Sequence, residues 1–439
     1  MSLPTPMPFK INISDSLLSF ISHRVSTARI PSGFDHPPGE EWAYGPPPSV
    51  MAHLKEYWTN KYDWRAVEAR INSHLNMFTL PIKEGSDEIK MHFVHHRSER
   101  EGAIPLLFQH GWPGSFLEVG FTKSTNGSIR ESFTKTKQVD KIIDLLTTPS
   151  DPTAQAYHVV APSIPGFTFS SAPKSPGFNL KNIASINNNL MHSLGYFKYM
   201  AQGGDWGSMI ARVMVNDYPE SCIAIHVNML LASPPVWYKQ PLSWLQFLTW
   251  ATWTAGDENG MLGRAMWWTR KEGGYMEIQG TKPQTVCYAL ADSPLGMLAW
   301  IRDKLEHLID NDFTFDDETA ITWAMLYIIP QNSAHAHIYT NFKGEKQSEL
   351  HTYLLSKKIP SNVDFGVSIF PKEVSNVPRF WAEACLGKNI VFWKEHAKGG
   401  HFPAVERPEV LVEDVRTFTK AVEKGRMAEL RSVGKLNRS

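Results

Sequence analysis

Short apolar runs ending in glycine, proline or a polar residue recur from residue 104 onward: Ile104 to Gln109, His158 to Ala161, Tyr199 to Gln202 and Cys222 to Asn228. Helical patterns lie between several of them. Continuous apolar runs alternating with helices predict βαβ units and a parallel sheet buried on both faces. After Ser233-Pro234-Pro235 the sheet pattern stops for more than a hundred residues and tryptophan concentrates, with eight of the fifteen between Trp237 and Trp323. That stretch reads as a helical insertion. Sheet pattern returns at Val363 to Phe370 and at Ile390 to Trp393, and Pro408 opens a last helix patterned by Val410, Leu411, Val415 and Phe418.

The first hundred residues read as an appended segment that wraps the core. Pro46, Pro47 and Pro48 interrupt it, and a helix-like stretch runs from Val50 to His74. Met91 to His95 alternates in polarity and reads as a strand, which gives His92, His95 and His96 a structural explanation ahead of a metal-binding one. The expected division is therefore 1–100 as lead-in, 101–232 as the first part of an α/β core, 233–350 as a helical cap and 351–439 as the second part of the core. No internal repeat or low-complexity stretch is visible.

The chain has 439 residues, with 44 Lys and Arg against 44 Asp and Glu, so its formal charge is zero. That balance leaves no electrostatic footprint for nucleic acid or anionic lipid. At 42% hydrophobic and 20% charged residues the chain is expected to fold throughout most of its length. A chain this long buries about three quarters of its unfolded surface without staples. Cys222, Cys287 and Cys385 are odd in number and show no C-x-x-C spacing, which predicts a reducing, cytoplasmic setting. Neither the start of the chain nor Trp244 to Ala255 is long and apolar enough for a signal or spanning segment, so no membrane anchor is expected.

The stretch Gly203-Gly204-Asp205-Trp206-Gly207 follows an apolar run and opens a helical pattern. This is the spacing of a nucleophile elbow, whose small flanking residues permit a strained turn that lifts one side chain above the sheet. The lifted side chain is a carboxylate, Asp205. The run ending at Gln109 leads into His110-Gly111-Trp112-Pro113-Gly114, the place of one oxyanion-hole amide on such a fold. The N–H groups of Trp112 and Trp206 are the candidate pair. Gly399-Gly400-His401-Phe402 follows the last expected strand, where the chain order nucleophile, acid, histidine places the base. Glu373, just past the Val363 to Phe370 strand, is the favoured orienting acid. Its rivals are Glu383, in a helical stretch, and Glu395, near the end of the following strand.

With these motifs in place, and with Ser163-Ile164-Pro165-Gly166-Phe167 and Gly274-Tyr275-Met276, the sequence resembles the epoxide hydrolases of the α/β-hydrolase fold. Within that fold it resembles the group of the mammalian microsomal enzyme and its soluble fungal relatives, over nearly the whole chain. The resemblance implies Asp205 as nucleophile, His401 as base, Glu373 as its partner, and Tyr275 and Tyr339 as donors to the epoxide oxygen, the tyrosines lining the substrate site with Trp112 and Trp206. It implies no metal and no cofactor, an apolar epoxide and water as reactants, a role in detoxification and a homodimer. His335 and His337 are read as cap structure. Glu373 matches the microsomal member, whereas soluble fungal relatives tend to carry aspartate, and no membrane helix is expected before the lead-in.

The chemistry fits those residue types. An attacking group stays on the sp3 carbon of an epoxide, so serine would leave an ether, whereas a carboxylate leaves an ester that water can cleave. Phenols stay protonated at neutral pH and donate to the opening oxygen. Three other readings share the fold. A haloalkane dehalogenase would grip a halide in place of the epoxide oxygen, an epoxide-opening cyclase would use a substrate hydroxyl as final nucleophile, and a non-catalytic ligand-binding protein would usually lack a triad member.

Overall fold

The computed structural model describes residues 5–120, 142–254, 256–257, 260–342 and 353–434. Among these residues nine strands form one sheet: β1 (Met7–Phe9), β2 (Met77–Glu84), β3 (Asp87–His96), β4 (Ile104–Gln109), β5 (Tyr157–Pro162), β6 (Tyr199–Gly203), β7 (Cys222–Val227), β8 (Asp364–Ile369) and β9 (Ile390–Glu395). Their order across the sheet is β1-β2-β3-β5-β4-β6-β7-β8-β9. The six strands from β5 to β9 in that order run parallel, and β1, β2 and β3 add an antiparallel edge. Every residue of β4 to β8 is buried, which is why these strands read as unbroken apolar runs. The fold is α/β, an α/β-hydrolase sheet with helices packed against it.

The lead-in supplies more than a wrapping. Its strands β1 to β3 belong to the sheet, and the β2–β3 hairpin turns at Gly85, whose φ of 58° suits glycine. The helix-like stretch from Val50 is two helices, α2 (Pro48–Asn60) and α3 (Trp64–His74), which follow α1 (Asp15–Thr27). The break falls where the Asp63 side chain caps α3 by accepting from the Arg65 and Ala66 amides. These helices also grip the inserted helices: Tyr62 reaches Thr322 at 3.1 Å, and Arg70 pairs with Glu318.

After α4 (Ile142–Thr147), α5 (Leu180–Ser193) and α6 (Asp205–Asp217), the chain leaves the sheet at the end of β7. It then forms α7 (Pro241–Thr254), α8 (Met261–Trp267), α9 (Gly274–Thr281), α10 (Pro283–Asp292), α11 (Pro294–His307), α12 (Asp317–Ile328) and α13 (Ala334–His337) before returning in β8. The expected boundary at residue 350 lies outside the described residues. The last expected helix spans Pro408–Ala421, and a further helix, Lys424–Gly434, packs beside β4. Among the described residues, no helix is long and apolar enough to cross a membrane.

The sheet edge that matters is the carboxyl end of its parallel strands. Gln109 at the end of β4 lies in register with Gly203 at the end of β6. The loop after β4 and the turn after β6 therefore open side by side, the place where open α/β sheets build sites.

Candidate active site

Asp205 is the first residue of α6, with φ of 47° in a region that L residues rarely adopt. Small neighbours make this turn possible. A Cβ at Gly203 would strike the Gly207 backbone, and one at Gly207 would strike the Gln109 carbonyl. A Cβ at Gly111 would overlap the Asp205 carboxylate itself. The strand-to-helix turn thus fits only because three glycines leave room for it.

Trp112 donates its backbone N–H to Asp205 Oδ1 at 2.7 Å. Trp206 follows Asp205 in the first turn of α6, where amides have no carbonyl four residues back to bond. The loop that carries Trp112 is held by His110. Burial pushes the His110 pKa down to about 4, so the ring is neutral. Its Nδ1–H donates to the Gly111 carbonyl at 3.0 Å while Nε2 accepts from the Ile164 amide at 3.2 Å.

His401 Nε2 lies 3.5 Å from Asp205 Oδ2, and its Nδ1 is hydrogen-bonded to Glu373 Oε1. Both His401 and Glu373 are buried. Their loops are tied together, since Lys372 bridges to Gly400 and donates its N–H to the Gly399 carbonyl at 3.2 Å. Gly399 takes φ of 115°, and the His401 amide donates to the Leu308 carbonyl at 2.7 Å. The rival acids stand elsewhere: Glu383 pairs with Arg379 at 2.7 Å, and Glu395 accepts from the Trp393 indole at 3.0 Å.

Burial disfavours the imidazolium of His401, yet Glu373 and Asp205 together lift its pKa well above the ordinary value. A carboxylate on either side of one ring outweighs the desolvation. The two carboxylates therefore favour the protonated form of His401.

The inserted helices close the site from above. Tyr275 sits on α9, and Tyr339 sits in the 3-10 turn Ile338–Phe342 that packs against it. The Tyr275 ring stacks on Trp112 at 4.9 Å between centroids, and Tyr339 stands edge-on to Trp206 at 4.9 Å and to Tyr275 at 5.5 Å. These four aromatic rings enclose the space around Asp205. Burial, then the nearby Asp205 carboxylate, raise the Tyr275 pKa, and burial raises that of Tyr339, so both phenols keep their protons. The Tyr339 hydroxyl is buried with no partner at hydrogen-bonding geometry. A buried hydroxyl in that condition costs free energy unless a ligand oxygen satisfies it.

The structure thus brings together all seven residues singled out in the sequence: Asp205, His401, Glu373, Tyr275, Tyr339, Trp112 and Trp206. Sequence reasoning missed three others. Arg264 of α8 donates to the carbonyls of His307 (2.5 Å), Lys372 (3.1 Å) and Glu373 (3.3 Å). Lys304, buried in α11, lies 5.1 Å from the Tyr275 ring centre and pairs with Glu272 at 3.1 Å. Glu118 faces Asp205 and His401 from the loop after β4. The only sequence signal for any of them is the place of Glu118 directly after the Trp112 motif.

The histidines read as structural have structural partners. His92 Nδ1 is 2.9 Å from Ser163 Oγ, His95 Nε2 is 3.1 Å from the Tyr196 hydroxyl, and His335 packs edge-on against Tyr327 at 5.0 Å. Among the described residues, no group of three or more His, Cys, Asp or Glu side chains is placed to hold a metal ion.

Comparison with known proteins places this geometry in a family. Residues 6–119 match the model of the epoxide hydrolase N terminus, and residues 104–255 match that of the alpha/beta hydrolase fold. A protein of Stigmatella aurantiaca that carries an epoxide hydrolase name is 34% identical over 425 residues, covering 93% of this chain and 83% of its own length. Epoxide hydrolase 1 of Sus scrofa is 30% identical over 439 residues, covering 95% and 89%. The solved structure of Aspergillus niger epoxide hydrolase is 30% identical with a TM-score of 0.78, covering 96% of this chain and 98% of that one. The chain belongs to the epoxide hydrolases of the α/β-hydrolase fold.

Proposed function

We propose that this epoxide hydrolase converts apolar epoxides to vicinal diols in two steps through an ester on Asp205. Asp205 Oδ2 attacks a ring carbon, the ring C–O bond breaks, and the alkoxide takes a proton from the phenols of Tyr275 and Tyr339. Oδ1 is left as the ester carbonyl, already beside the Trp112 N–H. Water then attacks the ester carbonyl carbon while His401 takes its proton. The Trp112 and Trp206 amides hold the tetrahedral oxyanion, the acyl C–O bond breaks, and the diol leaves with Asp205 restored.

The observation that carries this reading is the placement of the Asp205 carboxylate: 2.7 Å from the Trp112 N–H, 3.5 Å from His401 Nε2, and beneath two buried phenols of which one lacks a partner. Charge controls the order of the steps. Ester formation removes the negative charge of Asp205, one of the causes holding a proton on His401, so the ring gives that proton to the phenolate left by ring opening and returns neutral, as a base. Glu373 keeps the tautomer and stabilises the imidazolium.

Incubation with racemic styrene oxide tests the reading, following diol by chromatography and adduct mass on the Asp205 peptide. Wild type is expected to release diol, and His401→Gln to retain an ester at Asp205. An adduct in wild type without diol would point to an epoxide-opening cyclase, in which a substrate hydroxyl takes the place of water. Halide release from 1-bromobutane without reaction of any epoxide would favour a dehalogenase.

The same reading takes residues 1–100 as lead-in, 233–350 as cap and the remainder as core, supported by the helices α7 to α13 between β7 and β8. It includes a role in detoxification, a homodimer and a cytoplasmic setting. Exposed Trp237, Leu242 and Trp253 on the cap support association of copies, and buried, unpaired Cys222, Cys287 and Cys385 support a reducing compartment. Sedimentation of the purified chain tests the dimer.

A further inference from the structure

Asp205 borders a cavity of about 10 Å³, lined also by Glu118, His401, Gly111, Gln202 and Asn228 among others. Its size is close to what a single water needs. Among the described residues neither Tyr275 nor Tyr339 lines it, so it lies apart from the phenols that close the substrate side. Its polar lining is incomplete: Gln202 Oε1 and Asn228 Nδ2 are buried without partners, although Gln202 Nε2 donates to Asn228 Oδ1 at 2.8 Å. One unpartnered acceptor and one unpartnered donor on residues that line one water-sized space are what a bound water can satisfy.

We propose that this cavity is the site of the hydrolytic water and that Glu118 is its positioning residue, an inference that rests on the two-step reading above. The water donates one hydrogen to His401 Nε2 and the other to a Glu118 carboxyl oxygen. It accepts from Asn228 Nδ2, and its remaining lone pair is left for the ester carbon of Asp205. The proton lost in the attack goes to His401, so Glu118 aligns the water and takes no proton from it.

The surroundings of Glu118 suit that task. It sits in the 3-10 turn Phe116–Val119 directly after the Trp112 loop, and its carboxyl packs so closely on Gly114 that a Cβ there would overlap it. The Gly114 carbonyl is held from the other side by the Tyr327 hydroxyl at 2.6 Å. Burial pushes the Glu118 pKa up to about 8, with His401 acting against the shift and Asp205 adding to it. A neutral Glu118 offers its C=O as acceptor without placing a second anion beside Asp205.

Single-turnover reaction with styrene oxide, quenched and read as adduct mass on the Asp205 peptide and as diol, separates the two steps. Glu118→Ala is expected to form the ester at nearly the wild-type rate and to hydrolyse it roughly 10²-fold more slowly, the scale expected of a misplaced reactant. Glu118→Gln, which keeps a C=O acceptor, is expected to restore most of the hydrolysis rate. Ester hydrolysis at the wild-type rate in Glu118→Ala would overturn the proposal. So would a Glu118→Gln as slow as Glu118→Ala, which would make the carboxyl a proton carrier, or a Glu118→Ala slowed equally in both steps, which would make its role structural. Absence of any Asp205 adduct in His401→Gln would instead overturn the two-step reading, independently of Glu118.

Discussion

The guanidinium of Arg264, on a cap helix, donates to the backbone carbonyl of Glu373, the residue that orients the base from the core. It also holds the carbonyls of Lys372 and His307 and lies 4.6 Å from the Trp267 ring centre. Cap and acid loop are thereby fastened at a point one residue wide, and the position of Glu373 depends on a helix more than a hundred residues away.

Arg264→Met should therefore loosen the Glu373–His401 pair without touching either side chain. We expect stability to fall by about 2–3 kcal/mol, the cost of losing hydrogen bonds from a charged group, and ester hydrolysis to fall more than ester formation. Arg264→Lys should rescue little, because a point charge cannot span three carbonyls. Thermal unfolding together with the two single-turnover rates checks both statements.

Tyr339→Phe separates activity from stability. The hydroxyl, beside the Tyr275 and Trp206 side chains, makes no hydrogen bond of good geometry, so removing it should leave little unsatisfied, and the melting temperature should stay level or rise. Ester formation should slow by roughly 10²-fold, as for loss of one donor to a developing oxyanion. A melting temperature several degrees lower would show that the hydroxyl serves the fold.

Gly111→Ala places a methyl group where the Asp205 carboxylate now lies. Overpacking of this kind costs about 1–3 kcal/mol, and the displaced nucleophile should form ester at least roughly 10²-fold more slowly. Adduct mass on the Asp205 peptide against time measures it.

The raised pKa of His401 also predicts a pH dependence of stability. Relative to its ordinary value of 6.5, the folded protein binds this proton more tightly than the unfolded chain does. The resulting stabilisation is complete below pH 6.5 and is lost as pH rises through the folded value. Wild type should lose stability more steeply than His401→Gln between pH 6.5 and the alkaline range, which urea unfolding at a series of pH values would show.

Sequence pattern was enough to place the nucleophile, the Trp112 loop, the acid and the base in the chain because each of these follows a strand end, whereas the cap tyrosines Tyr275 and Tyr339 were reached only through the family resemblance. The parallel strands are buried on both faces, so β4, β6, β7 and β8 appear as plain apolar runs. Strained turns need small residues, so glycines mark the Trp112 loop, the Asp205 elbow and the His401 loop. Local propensity reached less far in the lead-in: β1 is three residues long and is a strand only because β2 lies beside it, and the α2–α3 break depends on the cap formed by Asp63.

Other features exist only after folding. Arg264 meets Glu373 across 109 positions, and Glu118, Gln202 and Asn228 meet Asp205 and His401 around one cavity from four separate loops and strand ends. Nothing in the neighbouring residues of Arg264 or Asn228 distinguishes them from surface or capping side chains. Periodicity and turn chemistry record what the backbone does over a few residues, and so the sequence by itself determined the parallel part of the sheet, the elbow and the order of nucleophile, acid and base. Which carboxyl stays neutral, where water is held and what fastens the cap depend on burial and on distances between remote segments, and only the tertiary structure decides those.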